Sequence, residues 1–459
     1  MRTLLKKIRD KGILLEWKDG KLLLSSQKPQ VDPSLLQEIR EKKEEIIAFL
    51  KNNYVKTEEA EQIPLVPLQV SYPLSSAQSR LWTLCQLESA VPAYHIFGLF
   101  DLDGQLNLST LEKAFDHVLD RHEILRTVFT ESSGGDIRQK VLDREALNFS
   151  IFVDLQWDNK KQMSKRTREM QRQLIAPFDL QNGPLLRTSL YKTAPQKYTF
   201  VFVIHHIISD GWSMQVLARD LFATYAALER DRAVGLPPLR IQYKDYASWE
   251  QQILLSAELQ KCRAYWKKKL EGELPLLALS GDCERPAVKT FHGGMLTTRW
   301  SEELCENIKQ FSRSRGGTLF MGLLSILKAV LYRYTNQEDL IIGTVVAGRD
   351  RLELEDQIGF YVNTIALRTQ LSAEKGLVNL FDRVRKTCLD GFAHQAYPFD
   401  RLLEDLSLAR DVSRSPVFDV MLVLQNAASA STNQEMADPD GSLRVQLQEP
   451  DESIAYSKY

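Results

Sequence analysis

The chain has 459 residues, of which 44% are hydrophobic and 26% are charged, and its formal net charge is −1. This composition is typical of a globular protein of roughly two to four domains. The near-neutral charge and the absence of a roughly 20-residue apolar run argue against a partner that is nucleic acid or membrane. Lys6, Lys7 and Arg9 interrupt the N-terminal apolar stretch, and the five cysteines include no CxxC pair, so we expect a cytoplasmic chain with reduced thiols, no signal peptide and no metal site.

The first 53 residues differ in charge from the remainder, because they carry 12 Lys and Arg against 8 Asp and Glu, a net charge of +4. A short helix is predicted first. Residues 13–25 then form two extended runs joined through Lys18-Asp19-Gly20, which favours a hairpin turn. A second helix is predicted to begin after Asp32, which is followed by proline, and to end near Asn52. The pattern therefore predicts an α-β-β-α unit.

This unit, assigned to residues 1–55, resembles the small N-terminal docking domains of tubulysin-synthetase type that begin some subunits of non-ribosomal peptide synthetases. The resemblance implies that the unit captures, in the form of an added β-strand, the C-terminal tail of an upstream subunit. Its net charge of +4 predicts that the tail is acidic. A purely structural N-terminal cap is the alternative interpretation. Residues 56–69 are predicted to be a linker.

From residue 70 onward, strand-like runs alternate with amphipathic helices, which predicts α/β layering. An apolar run that begins at Tyr198 ends in the doublet His205-His206, and a helix is predicted just after. Because side chains alternate along a strand, we expect one histidine to face the core and the other to face a cleft. Asp210 lies where a carboxylate can cap the helix, and Gly211 allows a ligand or another backbone to approach closely.

The segment HHIISDG at residues 205–211 matches the HHxxxDG motif, and the chain resembles the condensation domains of non-ribosomal peptide synthetases. Acetyltransferases of the chloramphenicol type, wax ester synthases and epimerization domains share this motif, so the motif alone leaves the choice open. Six further segments resemble the other motifs of the condensation family and follow the same order, at residues 76–82, 121–129, 243–249, 358–364, 394–400 and 410–418. Together they favour a condensation domain.

The resemblance implies two lobes, each similar to one chain of chloramphenicol acetyltransferase, that form a V with the histidine motif at the seam. The N-lobe is expected over residues 70–235 and the C-lobe over residues 236–459. Donor and acceptor carrier proteins would insert phosphopantetheine arms into a tunnel at the seam, and the chain itself is expected to bind no cofactor. Family members usually continue beyond the position of Tyr459, so we expect a C-lobe that is truncated at its C-terminus.

We expect His206 to face the tunnel and to act on the acceptor amine as a general base or an orienting group. The amide of Gly211 is the candidate donor to the oxyanion, and His205 is expected to be structural. The resemblance implies that Asp210 pairs with an arginine, for which Arg126 is our choice, so that Asp210→Ala would damage folding as much as catalysis. Four further residues are candidates for the tunnel wall, with structural roles equally open, namely Trp212, Ser213, Asn363 and Arg349.

Three functions follow from these patterns. The first is a condensation domain that forms an amide bond and receives its donor in trans from an upstream subunit, because a docking unit begins the chain. The second is an epimerization domain, which uses the same histidines, although the docking unit and the motif at residues 76–82 argue against it. The third is a non-catalytic docking or recruitment module, against which the intact His206, Asp210 and Gly211 argue.

Overall fold

The computed structural model describes residues 13–18, 21–26, 39, 42, 43, 62–86, 93–156, 172, 173, 175–279, 281, 285–290, 293–372, 376–408, 411–425 and 443–447. The chain divides into two compact units, Met1–Gln62 and Ile63–Tyr459. The division falls within the segment that the sequence predicts to be a linker.

Most of the described residues of the first unit form an antiparallel hairpin. Strand β1 (Ile13–Lys18) pairs with β2 (Lys21–Ser26), and Lys18 lies opposite Lys21, which leaves a connection of two residues. These residues are Asp19 and Gly20, a dipeptide that favours the tight turn of a two-residue hairpin. The hairpin prediction is thus confirmed. The two helices predicted for this unit lie almost wholly outside the described residues.

The second unit contains both strands and helices, as the sequence predicts, although five helices follow one another from Gly211 to Thr335. Its strands are β3 (Tyr72–Pro73), β4 (His95–Gly104), β5 (Thr127–Glu131), β6 (Ile137–Val141), β7 (Ile151–Asp154), β8 (Leu186–Ala194), β9 (Lys197–His205), β10 (Asp339–Val346), β11 (Asn363–Gln370) and β12 (Leu443–Leu447). Its helices are α1 (Ser76–Leu84), α2 (Leu108–Arg121), α3 (Gly211–Glu229), α4 (Tyr243–Ile253), α5 (Ala257–Lys269), α6 (Glu302–Ser314), α7 (Leu319–Thr335), α8 (Gly376–Ala393) and α9 (Phe399–Leu406).

A five-stranded sheet with the order β12-β4-β9-β8-β7 supports the histidine motif. The pair β7–β8 is parallel and the other pairs are antiparallel. Phe200, Phe202 and Ile204 alternate along β9 and are buried in one large hydrophobic cluster, the first core. Helices α2 and α3 pack against each other and bury their apolar faces in the same core. A layer of helices thus covers one face of this sheet.

The edge strand β12 comes from a distant part of the sequence. It pairs antiparallel with β4, with Leu443 opposite Gly104 and Leu447 opposite Phe100. Leu443 and Val445 are buried in the first core because alternate side chains of a strand share one face. β12 thus lies within the residues predicted for the C-lobe, 236–459. It nevertheless joins the sheet that contains β4 and β9, whose residues fall in the range predicted for the N-lobe.

A second large hydrophobic cluster, the second core, surrounds the antiparallel pair β10–β11 and includes side chains of α5, α7, α8 and α9. Lys328 of α7 is fully buried there, and its ammonium donates hydrogen bonds to the carbonyl oxygens of Leu340 (2.9 Å) and Leu367 (2.8 Å). Within the described ranges no single helix is long and apolar enough to cross a membrane. Helices α6 and α7 meet that test only as a pair, which is bent by 104°.

The described end of the predicted linker is attached to the second unit. Residues 62–69 have no regular secondary structure. Ile63 is nonetheless fully buried in the first core, its N–H donates to Glu353 Oε1 (3.1 Å), and its carbonyl accepts a bond from Arg240 (2.8 Å). The N–H of Val66 donates to Asp245 Oδ1 (2.8 Å). This segment is therefore held by specific contacts.

Candidate functional site

The histidine doublet lies where strand β9 ends. His205 is the last residue of the strand and is 2% exposed, whereas His206 begins a short 3₁₀ turn (His206–Ile208) and is half-buried. The ring of His206 contacts the ring of Phe360 edge to face, with centroids 4.7 Å apart. The two histidines thus differ in exposure, as expected, although His206 lies in the turn after the strand and not in the strand itself.

His205 is held within the fold by its own hydrogen bonds. Its Nδ1 accepts the N–H of Ile207 (3.1 Å), so the proton of the neutral ring is on Nε2. That nitrogen lies 3.5 Å from Cys85 Sγ. The ring of His205 also makes edge contacts with the rings of His95 and Phe178, each with centroids 5.9 Å away. These contacts fit the structural role that the sequence analysis gives to His205.

Asp210 caps helix α3 and forms a fully buried ion pair with Arg349. Its Oδ1 accepts the backbone N–H of Ser213 (2.8 Å), which satisfies an amide at the helix start. The carboxylate lies 3.1 Å from Arg349 Nη2, with the two side chains 0% and 1% exposed respectively. Its Oδ2 also accepts the N–H of Tyr361 (3.1 Å). Every oxygen of this buried carboxylate therefore has a donor.

The expected pairing of Asp210 with Arg126 is wrong. The guanidinium of Arg126 donates to the carbonyl oxygens of Leu119 (2.9 Å) and Leu142. Leu119 lies in the last turn of α2, where carbonyl groups have no partner within the helix, so Arg126 caps that helix instead. Arg349, which the sequence offers only as a candidate for the tunnel wall, is the partner of Asp210.

Residues 349–361, which begin with Arg349, make several contacts with the start of α3. We call this segment the seam loop. Three consecutive residues of this loop each contact a different residue of the motif region. The N–H of Gly359 donates to Ser213 Oγ (3.0 Å), the ring of Phe360 meets His206, and the N–H of Tyr361 donates to Asp210. The motif is therefore held in position by residues far away in sequence.

The two polar residues next to Gly211 are bound to the same loop. The hydroxyl of Ser213 lies 2.7 Å from Asp210 Oδ1 and 2.9 Å from the carbonyl oxygen of Gly359, and it accepts a bond from Arg349 (2.8 Å). The indole N–H of Trp212 donates to the carbonyl oxygen of Glu355 (2.9 Å). These polar atoms are thus engaged in protein contacts, which accounts for both residues structurally.

Gly211 differs from its neighbours because it is exposed. It is the first residue of α3, and a Cβ built at this position would meet no atom within 4 Å. The N-terminus of a helix carries a partial positive charge and amide groups that point outward. Together these features leave space for a developing negative charge beside the Gly211 amide.

Asn363 fastens two segments of the second core. Its side-chain nitrogen donates to the carbonyl oxygens of Gln395 and Tyr397, both at 2.8 Å. Its side-chain oxygen accepts the N–H groups of Phe399 (3.0 Å) and Thr364 (2.9 Å). An amide side chain that makes four such bonds has little capacity left for a ligand. Its contacts account for it as a structural residue.

Sequence reasoning missed two aromatic residues beside the motif, Phe360 and Tyr361, whereas it expected Tyr243 to be an aromatic residue of the core or the seam. Phe360 and Tyr361 belong to the segment 358–364, which we used only as a family resemblance. Arg349 lies over the ring of Tyr361, 4.2 Å from its centroid, and burial raises the pKa of the Tyr361 hydroxyl well above its usual range. Tyr243 donates from its hydroxyl to the carbonyl oxygen of Phe360 (2.8 Å). The sequence signal for these contacts was the presence of three aromatic residues, Tyr243, Phe360 and Tyr361, in the segments 243–249 and 358–364.

The part of the chain that the structure describes contains no group of three or more His, Cys, Asp or Glu side chains that could hold a metal ion. The cysteines at positions 262, 305 and 388 are free thiols. Burial raises the pKa of the Cys388 thiol to about 12.

Two family models match the chain. A model described as the condensation domain matches residues 68–456, and a model described as the TubC N-terminal docking domain matches residues 1–52. The first covers most of the chain and includes the HHxxxDG segment. The second covers the basic α-β-β-α unit predicted from the sequence.

Curated proteins and a solved structure agree with these models. One component of the linear gramicidin synthase of Brevibacillus parabrevis is 40% identical over 87% of this chain, and one component of the plipastatin synthase of Bacillus subtilis (strain 168) is 40% identical over 78%. The matched regions are 8% and 13% of those proteins. The crystal structure of the X-domain from teicoplanin biosynthesis has a TM-score of 0.76 at 27% identity and covers 86% of each chain. The chain therefore belongs to the condensation domains of non-ribosomal peptide synthetases, which catalyse peptide-bond formation, and it carries a TubC-type docking domain before that domain.

Proposed function

We propose that this chain joins a donor acyl or peptidyl thioester to an acceptor aminoacyl thioester through His206 and the amide of Gly211. The observation that carries the proposal is the different placement of the two adjacent histidines. His205 is buried and hydrogen-bonded, whereas His206 is half-buried and lies five residues before the exposed Gly211. The side chain and the amide that the reaction needs are thus both accessible near the start of α3.

In the proposed reaction, the acceptor amine attacks the thioester carbonyl carbon. A nitrogen–carbon bond forms, the carbonyl oxygen becomes an oxyanion, and the carbon–sulfur bond then breaks to release the donor arm as a thiolate, which takes up the proton from the amine. His206 accepts that proton or orients the amine for attack, a contribution of about 10²–10⁴-fold if it acts as a base. Alignment of the two thioesters supplies a further large part of the acceleration.

The Gly211 amide is the proposed donor to the oxyanion. It begins a helix of 19 residues, so the positive end of the helix dipole lies beside it. The buried pair of Asp210 and Arg349 fixes the preceding residue, which keeps this amide preorganised. Asp210 thus serves as a positioning residue and does not meet the substrate.

We place this site at the seam of two lobes similar to chloramphenicol acetyltransferase chains that form a V, with an N-lobe at 70–235 and a C-lobe at 236–459. The contacts of the HHxxxDG segment with the seam loop support this arrangement because they join residues on both sides of that boundary. Donor and acceptor carrier proteins present the substrates on phosphopantetheine arms in a tunnel. The proposed location of the chain is the cytoplasm, where such carriers meet it.

The first experiment measures the amide product directly. Synthetic donor and acceptor groups are loaded on carrier domains, and the dipeptide thioester is followed by mass spectrometry with wild type, His206→Ala and His117→Ala. His117 is an exposed histidine of α2 and serves as the matched control. We expect His206→Ala to lose at least about 100-fold in rate and His117→Ala to retain wild-type activity. Unchanged dipeptide formation by His206→Ala would remove His206 from the mechanism.

A second experiment tests the docking partner. We propose that residues 1–55 bind, beside the hairpin, the acidic C-terminal tail of an upstream synthetase subunit, which delivers the donor in trans. The full chain is titrated with an acidic tail peptide and with the same peptide after each Asp and Glu is replaced by Asn and Gln. Saturable binding of the acidic peptide that weakens with salt is expected. Equal binding of both peptides would contradict the charge-based part of the proposal.

A further inference from the structure

The local backbone does not fix the direction in which the His206 ring points. His206 is the first residue of a 3₁₀ turn of three residues, and it is half-buried. Rotation of a histidine ring about its last side-chain bond has only a broad preference, so the rotamer alone does not select a direction for the ring nitrogens. Proton transfer needs that direction, because the donor and acceptor atoms must lie about 2.6–3.2 Å apart. A further contact to the ring is therefore needed.

Phe360 of the seam loop provides such a contact. Its ring lies against the ring of His206, with centroids 4.7 Å apart and planes inclined at 65°. This distance and this inclination are in the range that edge-to-face aromatic pairs favour. Rotation of the imidazole about its last side-chain bond would change both values and disturb the packing. The contact thus favours one range of ring directions over the others.

The backbone is held on both sides of Phe360. The N–H of Gly359 donates to Ser213 Oγ (3.0 Å), and the N–H of Tyr361 donates to Asp210 Oδ2 (3.1 Å). Both acceptors belong to the start of α3, which directly follows the HHxxxDG segment. The position of the Phe360 backbone relative to the histidine motif is therefore determined by two hydrogen bonds.

Close packing restrains the seam loop further at the same point. The carbonyl oxygen of Phe360 accepts a hydrogen bond from the Tyr243 hydroxyl (2.8 Å). A Cβ added at Gly359 would collide with the rings of Tyr243 and Tyr361, so the backbone passes where only glycine fits. Because interiors packed in this way do not deform easily, the Phe360 ring is presented to His206 on a rigid support.

We propose that Phe360 is a positioning residue for His206. Its ring holds the imidazole in the direction from which His206 accepts the proton of the acceptor amine or orients that amine, and it affects the reaction only through His206. This inference rests on the function proposed above for His206. Without the Phe360 ring, the imidazole occupies additional orientations, and the productive one becomes less populated.

The test combines variants of Phe360 with the dipeptide assay described above. Phe360→Leu removes the ring and keeps an apolar side chain, whereas Phe360→Tyr keeps the ring. Phe392→Leu is the matched control, because Phe392 is also half-buried and its ring packs against that of Phe320 in the second core, with centroids 6.1 Å apart. Phe360→Leu is also combined with His206→Ala. Circular dichroism melting checks that each protein folds, and Phe360→Met replaces Phe360→Leu if the leucine variant does not fold.

We expect Phe360→Leu to lower kcat by about 2–12-fold, which is the contribution of an aromatic pair, about 0.5–1.5 kcal/mol, converted to a rate. The KM for the acceptor should not change, because the lost contact is made to His206 and not to the substrate. Phe360→Tyr and Phe392→Leu should keep the wild-type kcat. In the His206→Ala background, Phe360→Leu should cause no further loss, since both changes remove the same interaction.

The inference is overturned if Phe360→Leu keeps the wild-type kcat, or if Phe360→Tyr loses as much as Phe360→Leu. It is also overturned if Phe360→Leu lowers the residual rate of His206→Ala by the same factor as that of wild type, because Phe360 would then act on the substrate directly. Each of these results leaves the role of His206 intact. A wild-type rate for His206→Ala alone would instead reject the proposed function, and this inference with it.

Discussion

Two buried cationic side chains in the second unit differ in the groups that surround them. Arg349, 1% exposed, lies 3.1 Å from the carboxylate of Asp210 and also donates to the carbonyl oxygen of Gln357 (2.7 Å). Lys328, fully buried in the second core, has only the carbonyl oxygens of Leu340 and Leu367 as acceptors, and no carboxylate within ion-pair distance in the described ranges. One cation thus has a counter-charge and the other does not.

The difference predicts how each site responds when its positive charge is lost. Burial disfavours an ammonium without a counter-charge, and the pKa of Lys328 is lowered to about 7. Near that pH about half of the Lys328 side chains are neutral, and their N–H groups still donate to the strands. For Arg349, by contrast, the carboxylate of Asp210 compensates for the guanidinium. The second core thus tolerates loss of its charge, whereas the start of α3 depends on the pairing of two charges.

The largest expected effect comes from breaking the ion pair of Asp210 and Arg349. Arg349→Met leaves Asp210 buried without its counter-charge, and we expect a loss of about 3–5 kcal/mol in the free energy of unfolding. Asp210→Ala should lose a similar amount, because it leaves Arg349 buried without a counter-charge and removes the N-terminal cap of α3. Urea unfolding followed by circular dichroism measures both losses.

The control for this prediction is Arg126→Met, which tests the partner assigned from the sequence. Since Arg126 bonds only to backbone carbonyl oxygens in the described contacts, we expect its replacement to cost less than that of Arg349. An Asp210→Ala protein that unfolds like wild type and has lost only turnover would contradict the positioning role.

A smaller effect is expected from Lys328→Met, and it depends on pH. The folded-state pKa of about 7 lies below the ordinary value of 10.5, so the unfolded chain binds more protons between these values, and wild-type stability rises with pH there. Methionine does not titrate. The stability of wild type relative to Lys328→Met should therefore increase by about 2 kcal/mol from pH 7 to pH 9.

Denaturant unfolding at the two pH values measures this difference. The neighbouring buried Cys388 is present in both proteins and therefore does not distinguish them. A difference that stays constant between pH 7 and pH 9 would mean that the Lys328 ammonium keeps its usual proton affinity. The contrast between the two buried cations would then disappear.

The smallest expected effect is that of Ser213→Ala. This change removes a hydroxyl that contacts Asp210, Arg349 and Gly359, but it leaves the ion pair itself intact. We expect a loss of about 1–2 kcal/mol in unfolding free energy and a small loss of turnover. A loss as large as that of Arg349→Met would show that the hydroxyl, rather than the ion pair, holds the seam loop.

Local chemistry made several features predictable from the sequence. Asp19-Gly20 between two extended runs predicted the hairpin, because this dipeptide favours a two-residue turn. The histidine doublet at the end of an apolar strand predicted different exposures for His205 and His206, although His206 already belongs to the 3₁₀ turn that follows β9. Asp210 before Gly211 predicted a capped helix, since the carboxylate accepts a backbone N–H there. Each of these features depends on a few neighbouring residues.

Features that depend on long-range packing were not predictable in the same way. The choice between Arg126 and Arg349 as the partner of Asp210 requires the position of the seam loop, which is 139 residues from Asp210. Equally, the sequence around Ile63 suggested a linker, although its hydrogen bonds to Glu353 and Arg240 hold it against the first core. The periodicity of a short strand such as β12 does not indicate which sheet it joins.

The position of β12 has a consequence for how the protein forms during synthesis. Leu443 pairs with Gly104, so 339 residues (443 − 104) separate the two partners. At about 5–20 residues per second, a ribosome needs roughly 20–70 s to make this interval. Throughout that time the edge of β4 that β12 later covers lacks its neighbour, and unpaired edges of this kind promote aggregation. We therefore expect the nascent chain to depend on chaperones during this interval.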